Sequence, residues 1–418
     1  MKSYIVEGGN ILSGEIEVSG SKNASLPILA ASILNANTTK LYNIPRIQDT
    51  KITLKILKLL GCEVKSKKGK IVIDSKNIYI TEIPEELMRE MRSSIILAGA
   101  LIGRFKKVKF SYPGGCDIGS RPIDLHLKAF RKLGIKIEEK SGFITCTCDK
   151  IVGNEISLDF PSVGATENIM LASIFCEGVT YIKNSALEPE IVDLQKFLNK
   201  MGAKIEGAGT SIIKITGVKN LKEVSYNVMP DRIEAGTLLC AAAVTGGNLK
   251  LKNIETEHIE AIIDKLRDMG CELEVEKRQV ELKSIRKIKA IDIKTMPYPG
   301  FPTDLQSIFS AVLTVAKGTS IITENIFESR YKCMSELKRM GAKVTIDNRI
   351  AVIKGVRKLT GSNVKATDLR GGAALLIAAL SAKGKTKIDN IEYILRGYES
   401  LDKKLNKLGA KVYIKDNK

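Results

Sequence analysis

LKLLGCEVK, residues 57–65, reads as a helix end running into a strand, and the pattern returns five more times along the chain. The copies are FRKLGIKIE at 130–138, FLNKMGAKIE at 197–206, KLRDMGCELEV at 265–275, ELKRMGAKVTI at 336–346 and KLNKLGAKVYI at 404–414. In each, a Leu or Met closes the apolar stripe of a helix. A Gly then takes the left-handed position past its end, and an alternating strand follows. The glycines are Gly61, Gly134, Gly202, Gly270, Gly341 and Gly409, a spacing of about 70 residues that marks a structural repeat. Each interval also carries a helix rich in small apolar residues: Ala24–Leu34, Ser93–Ile102, Thr166–Phe175, Glu234–Val244, Leu305–Val315 and Gly372–Leu380. Apolar nearly all round, these read as buried helices. The expected architecture is α/β: six β-α-β-α-β-β units with helices inside and sheets outside.

Six units can form one ring or two groups of three, and the sequence favours two groups. Repeats one to three end near Val228, where MPDRIEAG opens a new buried helix. The first 20 residues read as an extra strand pair available to complete the second group. The expected lobes are therefore 22–229, and 1–21 plus 230–418. Linkers near Ser21–Lys22 and Met229–Asp231 would lie side by side as a two-stranded hinge, with a ligand cleft between the lobes.

Composition narrows the class. The chain has 418 residues, 44% hydrophobic and 27% charged, the balance of a globular protein whose aliphatic core lacks Trp. Its longest apolar stretch, Gly371 to Ala382, falls short of the roughly 20 residues of a membrane span. The N-terminus alternates like a strand and has no signal-peptide pattern, so a cytosolic protein is expected. The net charge of +19 favours an anionic partner such as a phosphorylated metabolite. Much of the excess is Lys on helix faces that read as solvated (Lys55, Lys58, Lys196, Lys200, Lys403, Lys404, Lys407), and no basic arm or aromatic-interleaved strand points to nucleic acid. The eight cysteines form no CxxC pair and the two histidines, His126 and His258, lie far apart, so neither a metal nor a disulfide framework is expected.

The chemistry concentrates in PGGCDIGSRPIDLHL, Pro113 to Leu127. Its glycine turn lets the backbone approach a ligand and puts Cys116 at the tip, with Arg121 five residues on and Pro122 able to begin a helix carrying Asp124 and His126. An exposed thiol near a cation can serve as proton donor or nucleophile; the bland alternative is an incidental loop cysteine. Lys22-Asn23 lies at the first linker, Arg92 stands before the second buried helix, and Ser162-Val163-Gly164 precedes the third, where free N–H groups suit phosphate. Asp304 in PGFPTDLQ is a helix N-cap or a base, the cap being the simpler reading. Arg370 and Arg396 are placed in loops before or after buried helices. Singly, such cations read as surface ion pairs; several in related positions suit carboxylate and phosphate.

Together, GSKNASLPILAA, MRSSIILAGA, PGGCDIGSRPIDLHL, FPSVGATEN, MPDRIEAGT, PGFPTDLQ, ENIFESR, DLRGGAAL and RGYE resemble the UDP-N-acetylglucosamine enolpyruvyl transferases of the EPSP synthase superfamily, over essentially the whole chain. The resemblance implies a two-lobed inside-out α/β barrel of six repeats. It also implies transfer of the enolpyruvyl group of phosphoenolpyruvate to the sugar 3-hydroxyl by addition and elimination, the first committed step of bacterial peptidoglycan synthesis. Cys116 would protonate the methylene carbon of phosphoenolpyruvate, and Asp304 would take the hydroxyl proton. Lys22, Arg121 and Arg396 would hold phosphate and carboxylate, with Arg92 and Arg370 in support. Asn23 and Asp304 would touch the sugar. Arg121, Pro122, Ile123, Asp124, Leu125, Ser162, Val163, Gly164 and Ile326 would line the nucleotide site. Asp231 and Glu328 lie in matching motifs without an assigned step.

The implied partners are the two small-molecule substrates, with no cofactor, metal, nucleic acid or membrane. The oligomeric state stays open, with a monomer as the default. The order expected is sugar nucleotide first, then the Cys116 loop as a lid. Two residues depart from the family pattern. Asp117 follows Cys116, and a carboxylate there raises the thiol's pKa, which suits an acid more than a nucleophile. Gln48 stands where many relatives carry Lys, with Arg46 as the substitute cation. A Cys at 116 also implies covalent inactivation by fosfomycin. The competing readings are an enolpyruvyl transferase acting on shikimate 3-phosphate, which the Cys loop disfavours, and a basic repeat protein that binds a polyanion.

Overall fold

A computed structural model describes residues 2–67, 69–114, 123–284 and 287–416. Cys116, Asp117, Arg121 and Pro122 lie outside the described residues. All six repeat glycines adopt left-handed backbone, with φ of 110°, 83°, 105°, 94°, 96° and 101° in chain order. Each turns a helix end into a strand without the strain a Cβ would bring.

Six buried helices run along the chain: α1 Lys22–Ala31, α2 Ile96–Phe105, α3 Val163–Ala172, α4 Arg232–Thr245, α5 Gln306–Leu313 and α6 Leu369–Ser381. Short 3-10 turns, Arg92–Ile95 and Thr303–Leu305, lead into α2 and α5. The chain forms two compact units, one running from Gly20 to Met229 and the other made of the N-terminal segment to Ser19 and the chain from Pro230 onward. Each has its own aliphatic core, built on α1 to α3 in the first and α4 to α6 in the second.

The unit 20–229 carries three sheets. In the first, Thr38–Tyr42 pairs antiparallel with Lys70–Asp74, which pairs with Glu63–Lys67. Its other edge is filled by Val224–Asn227, parallel to Thr38–Tyr42, so the last repeat returns to complete the first. The remaining unit also carries three sheets, and here the N-terminus differs from expectation. Lys2–Glu7 and Ser13–Glu17 are not a strand pair. The first lies antiparallel between Lys385–Asp389 and Lys411–Asp416, and the second runs parallel to Asn248–Lys252. The reason is edge satisfaction. In the other repeats a hairpin returns a strand to the centre of the sheet; here Lys2–Glu7 takes that place, between Lys385–Asp389 and Lys411–Asp416. The six sheets are separate and open; among the described residues none closes into a barrel. The fold class is mixed α/β, with helices inside the sheets.

One lysine read as solvated is instead clamped. Lys404 donates to Ser19 Oγ at 2.7 Å and to Glu17 O at 3.1 Å, and it makes a tight ion pair with the buried Glu234. Burial pushes the Glu234 carboxyl up to about 7 against the pull of Lys404. No described helix is long and apolar enough to cross a membrane.

Candidate active site

In the unit built on α4 to α6, the turn Thr303–Leu305 presents Asp304 to two guanidinium groups. Arg330 Nη2 lies 2.5 Å from Asp304 Oδ1, and Arg370 Nη2 lies 2.8 Å from Oδ2. Both arginines are nearly fully buried, whereas Asp304 keeps 24% of its side chain exposed. The carboxylate is gripped by one arginine on each oxygen while part of the side chain stays exposed. Asp304 is thus an ion-pair centre, and the simpler helix-cap reading does not describe where its carboxylate oxygens go.

Arg370 belongs to the first turn of α6 and not to the loop before it. Asp368 caps that helix by accepting from the N–H groups of Arg370 and Gly371 at 3.0 and 2.9 Å, which fixes the backbone that aims Arg370. The Arg370 guanidinium lies 5.2 Å from the Tyr398 ring centre, and Tyr398 shares a 2.9 Å hydrogen bond with Thr237. Burial works against the charge on Arg370, but Asp304, Tyr398 and Asp231 outweigh it and keep the guanidinium protonated. Asp231 caps α4 through the N–H groups of Ile233 and Glu234 at 2.8 and 2.9 Å. Arg396 follows the short helix Glu392–Leu395 and is half-buried. Ile326 is half-buried, and its N–H donates to Glu324 Oε1 at 2.8 Å.

The other unit gathers a second set. Lys22 and Asn23 are the first two residues of α1, not part of a linker before it; Ser21 caps the helix through Ala24 N at 3.2 Å. Lys22 Nζ pairs with Asp49 Oδ2 at 3.2 Å, and Asp49 is 1% exposed. Gln48 and Arg46, next to it, are exposed. His126 lies on the helix Asp124–Lys132, where Asp124 is exposed, Leu125 half-buried and Ile123 packed into the core.

Asn168 holds the buried His126 in one state. Its Nδ2 donates to His126 Nδ1 at 2.7 Å and to Ile95 O at 3.0 Å, and its Oδ1 accepts from Gly99 N at 2.8 Å. Nδ1 is therefore an acceptor, and burial, with the nearby Arg92 charge, pushes the imidazole down to about 4. A Cβ on Gly164 would sit 3.3 Å from His126 Cε1, so a glycine there permits the close approach of α3. Ser162 caps α3 through Ala165 N at 3.4 Å, and Val163 and Gly164 open the helix. All seven described cysteines have thiols raised by burial, so none is a ready thiolate. Among the described residues no group of His, Cys, Asp and Glu is placed to hold a metal ion.

A family model described as EPSP synthase (3-phosphoshikimate 1-carboxyvinyltransferase) matches residues 6–405. The chain belongs to the EPSP synthase family. Within that family, a protein of Caldanaerobacter subterraneus subsp. tengcongensis named UDP-N-acetylglucosamine 1-carboxyvinyltransferase 2 is 53% identical over 413 residues, 99% of either chain. One of Carboxydothermus hydrogenoformans, UDP-N-acetylglucosamine 1-carboxyvinyltransferase 1, is 50% identical over 413 residues, 99% of this chain and 98% of its own. Among solved structures, the enolpyruvyl transferase NikO of Streptomyces tendae matches with a TM-score of 0.90 at 25% identity, covering 99% of this chain and 98% of its own. An EPSP synthase of Acinetobacter baumannii matches with a TM-score of 0.77 at 19% identity, over 99% of this chain and all of its own, and shows the fold alone.

For an EPSP synthase family member, the arginine that sequence reading missed is Arg330. It closes the motif ENIFESR, which was legible as a motif but gave no sign of which side chain turns inward. Asp49, the buried partner of Lys22, was passed over as well.

Proposed function

We propose that this chain transfers the enolpyruvyl group of phosphoenolpyruvate to the 3-hydroxyl of UDP-N-acetylglucosamine and releases phosphate. The observation that carries the reading is kinship along the whole chain with proteins of that name, 53% identical in one case. The Asp304 geometry supports it. A carboxylate gripped by two cations and still part-exposed is a fixed proton acceptor for a sugar hydroxyl. When an anionic substrate draws on Arg370, Asp304 loses a counter-charge and becomes the better base.

The thiol proton of Cys116 goes to the methylene carbon, while the sugar oxygen bonds to the central carbon and gives its proton to Asp304. A tetrahedral ketal results. The methyl group then returns one proton to the Cys116 thiolate as the carbon–oxygen bond to phosphate breaks, and the proton on Asp304 passes to the departing phosphate, leaving the enolpyruvyl ether. The cation developing at the central carbon and the charge on phosphate call for fixed positive groups, the role given to Lys22, Arg121 and Arg396 with Arg370 in support. Asn23, Arg92, Arg121, Pro122, Ile123, Asp124, Leu125, Ser162, Val163, Gly164, Asp304 and Ile326 are assigned to the sugar nucleotide. The reading places the reaction in the cytosol, at the entry to peptidoglycan synthesis, with Cys116 open to alkylation by fosfomycin.

Phosphate release from phosphoenolpyruvate, measured with UDP-N-acetylglucosamine and separately with shikimate 3-phosphate, tests this. Release with the sugar nucleotide alone is expected; release only with shikimate 3-phosphate would move the acceptor.

A further inference from the structure

The groups behind Asp304 form a continuous hydrogen-bonded line that the proposed reaction has not used. Glu324 is fully buried at the end of the strand Thr319–Thr323, yet its carboxylate accepts four bonds. Oε1 takes Thr295 Oγ1 at 2.8 Å and the N–H groups of Ile326 and Phe327 at 2.8 and 3.1 Å. Oε2 takes the Thr303 hydroxyl at 2.9 Å. Thr303 Oγ1 in turn accepts from Arg330 Nε at 3.3 Å, and Arg330 Nη2 reaches Asp304. So buried an anion is costly unless its oxygens are filled, and here they are.

The line solves a positioning problem. A buried arginine grips a carboxylate only while its own side chain is held in place. Thr303, fixed on Glu324, accepts from Arg330 Nε, so the guanidinium is held at Nε as well as at the Nη2 that reaches Asp304. Phe327 packs its ring 5.4 Å from the Arg330 guanidinium and limits where that side chain turns. The same carboxylate fixes the backbone of Ile326, so one buried group ties a nucleotide-lining segment to the proton acceptor.

Resting on the reaction proposed above, we infer that Glu324 and Thr303 are positioning residues that hold Arg330 on Asp304 and thereby set the strength of Asp304 as a base. Neither touches substrate in this account; both act through Arg330.

The test compares wild type with Thr303→Val, Thr303→Ser and Glu324→Gln, in kcat, KM for each substrate and the pH dependence of kcat, with thermal melting to confirm folding. Thr303→Val removes the hydroxyl at nearly constant shape. It is expected to lower kcat about tenfold, the size of one hydrogen bond to a charged group, with KM little changed. Freed from part of the Arg330 grip, Asp304 protonates more readily, so the acid limb of kcat moves to higher pH by about one unit. Thr303→Ser restores the hydroxyl and both properties, and Glu324→Gln repeats the loss in kcat. A folded Thr303→Val that matches wild type in kcat and acid limb, or a Thr303→Ser as impaired as the Val variant, overturns the inference alone. A wild-type protein that releases no phosphate with UDP-N-acetylglucosamine overturns the reaction and the inference together.

Discussion

Phe160-Pro161-Ser162-Val163 and Phe301-Pro302-Thr303-Asp304 occupy the same place in the third and fifth repeats, the turn before a buried helix, and they use their hydroxyls differently. Ser162 turns inward to its own helix and accepts from Ala165 N. Thr303 gives up the cap and donates to Glu324 instead. The seventh residue after the strand that follows is Glu190 in the third repeat and Arg330 in the fifth. Glu167, buried on α3, therefore has acidic neighbours: burial first, then Glu190 and Glu188, push its carboxyl well up. Asp304 instead has an arginine on each carboxylate oxygen. An acidic side chain near the buried helix thus meets other acids in the third repeat and arginines in the fifth.

The hardest blow to that contrast is Asp304→Asn, which leaves both guanidinium groups without their anion and removes the proton acceptor. A loss in kcat of roughly 10²- to 10⁴-fold is expected, the range for a general base, measured as phosphate release at saturating substrates. A loss under about tenfold would mean that the two-arginine grip serves folding only, as in an ordinary buried ion network.

Much of this was legible in the sequence, for reasons that also explain what was not. The repeat showed itself because only Gly sits easily at φ near 100°, so six helix ends had to carry one. Asp304, Arg370 and Lys22 stood out because they are charges placed where a buried helix begins. Arg330 and Glu324 did not, because ENIFESR is an irregular segment with no periodicity to tell inward from outward. Lys404 was misread for the opposite reason. Its helix Leu401–Lys407 has a plain solvated pattern, and the partner Glu234 comes from a different helix, α4. The pairing of Lys2–Glu7 joins it to strands far away in the sequence, a fact of topology and not of local pattern.

His126 extends the contrast to a base, since burial pushes its pKa down as it pushes that of Glu167 up. Its folded pKa of about 4 lies below the unfolded value of 6.5, so the unfolded chain binds the proton first as pH falls. The stability it contributes is complete above pH 6.5 and is lost progressively down to about 4, on the order of 3 kcal/mol in all. His126→Asn abolishes that slope. Urea unfolding of the full chain at pH 7 and pH 4.5 is expected to show a clearly smaller acid loss for the variant than for wild type. Equal losses would mean that the ring takes up its proton in the folded state, displacing Asn168 from Nδ1.

The smallest effect belongs to Ser162→Ala, and it bears on the starting contrast most directly. If Ser162 is spent on capping α3, removing its hydroxyl costs helix stability of about 0.5–1 kcal/mol, the lower part of the usual range given a bond as long as 3.4 Å. Thr303→Ala in the fifth repeat has no such cap to lose, because its hydroxyl is already committed to Glu324 and Arg330. Its cost should appear in turnover before it appears in the urea midpoint. Two variants with the same stability loss and the same kinetics would erase the distinction between the turns. A divergence, with stability falling in one and turnover in the other, would show that one hydroxyl position has been turned from holding a helix to holding an arginine.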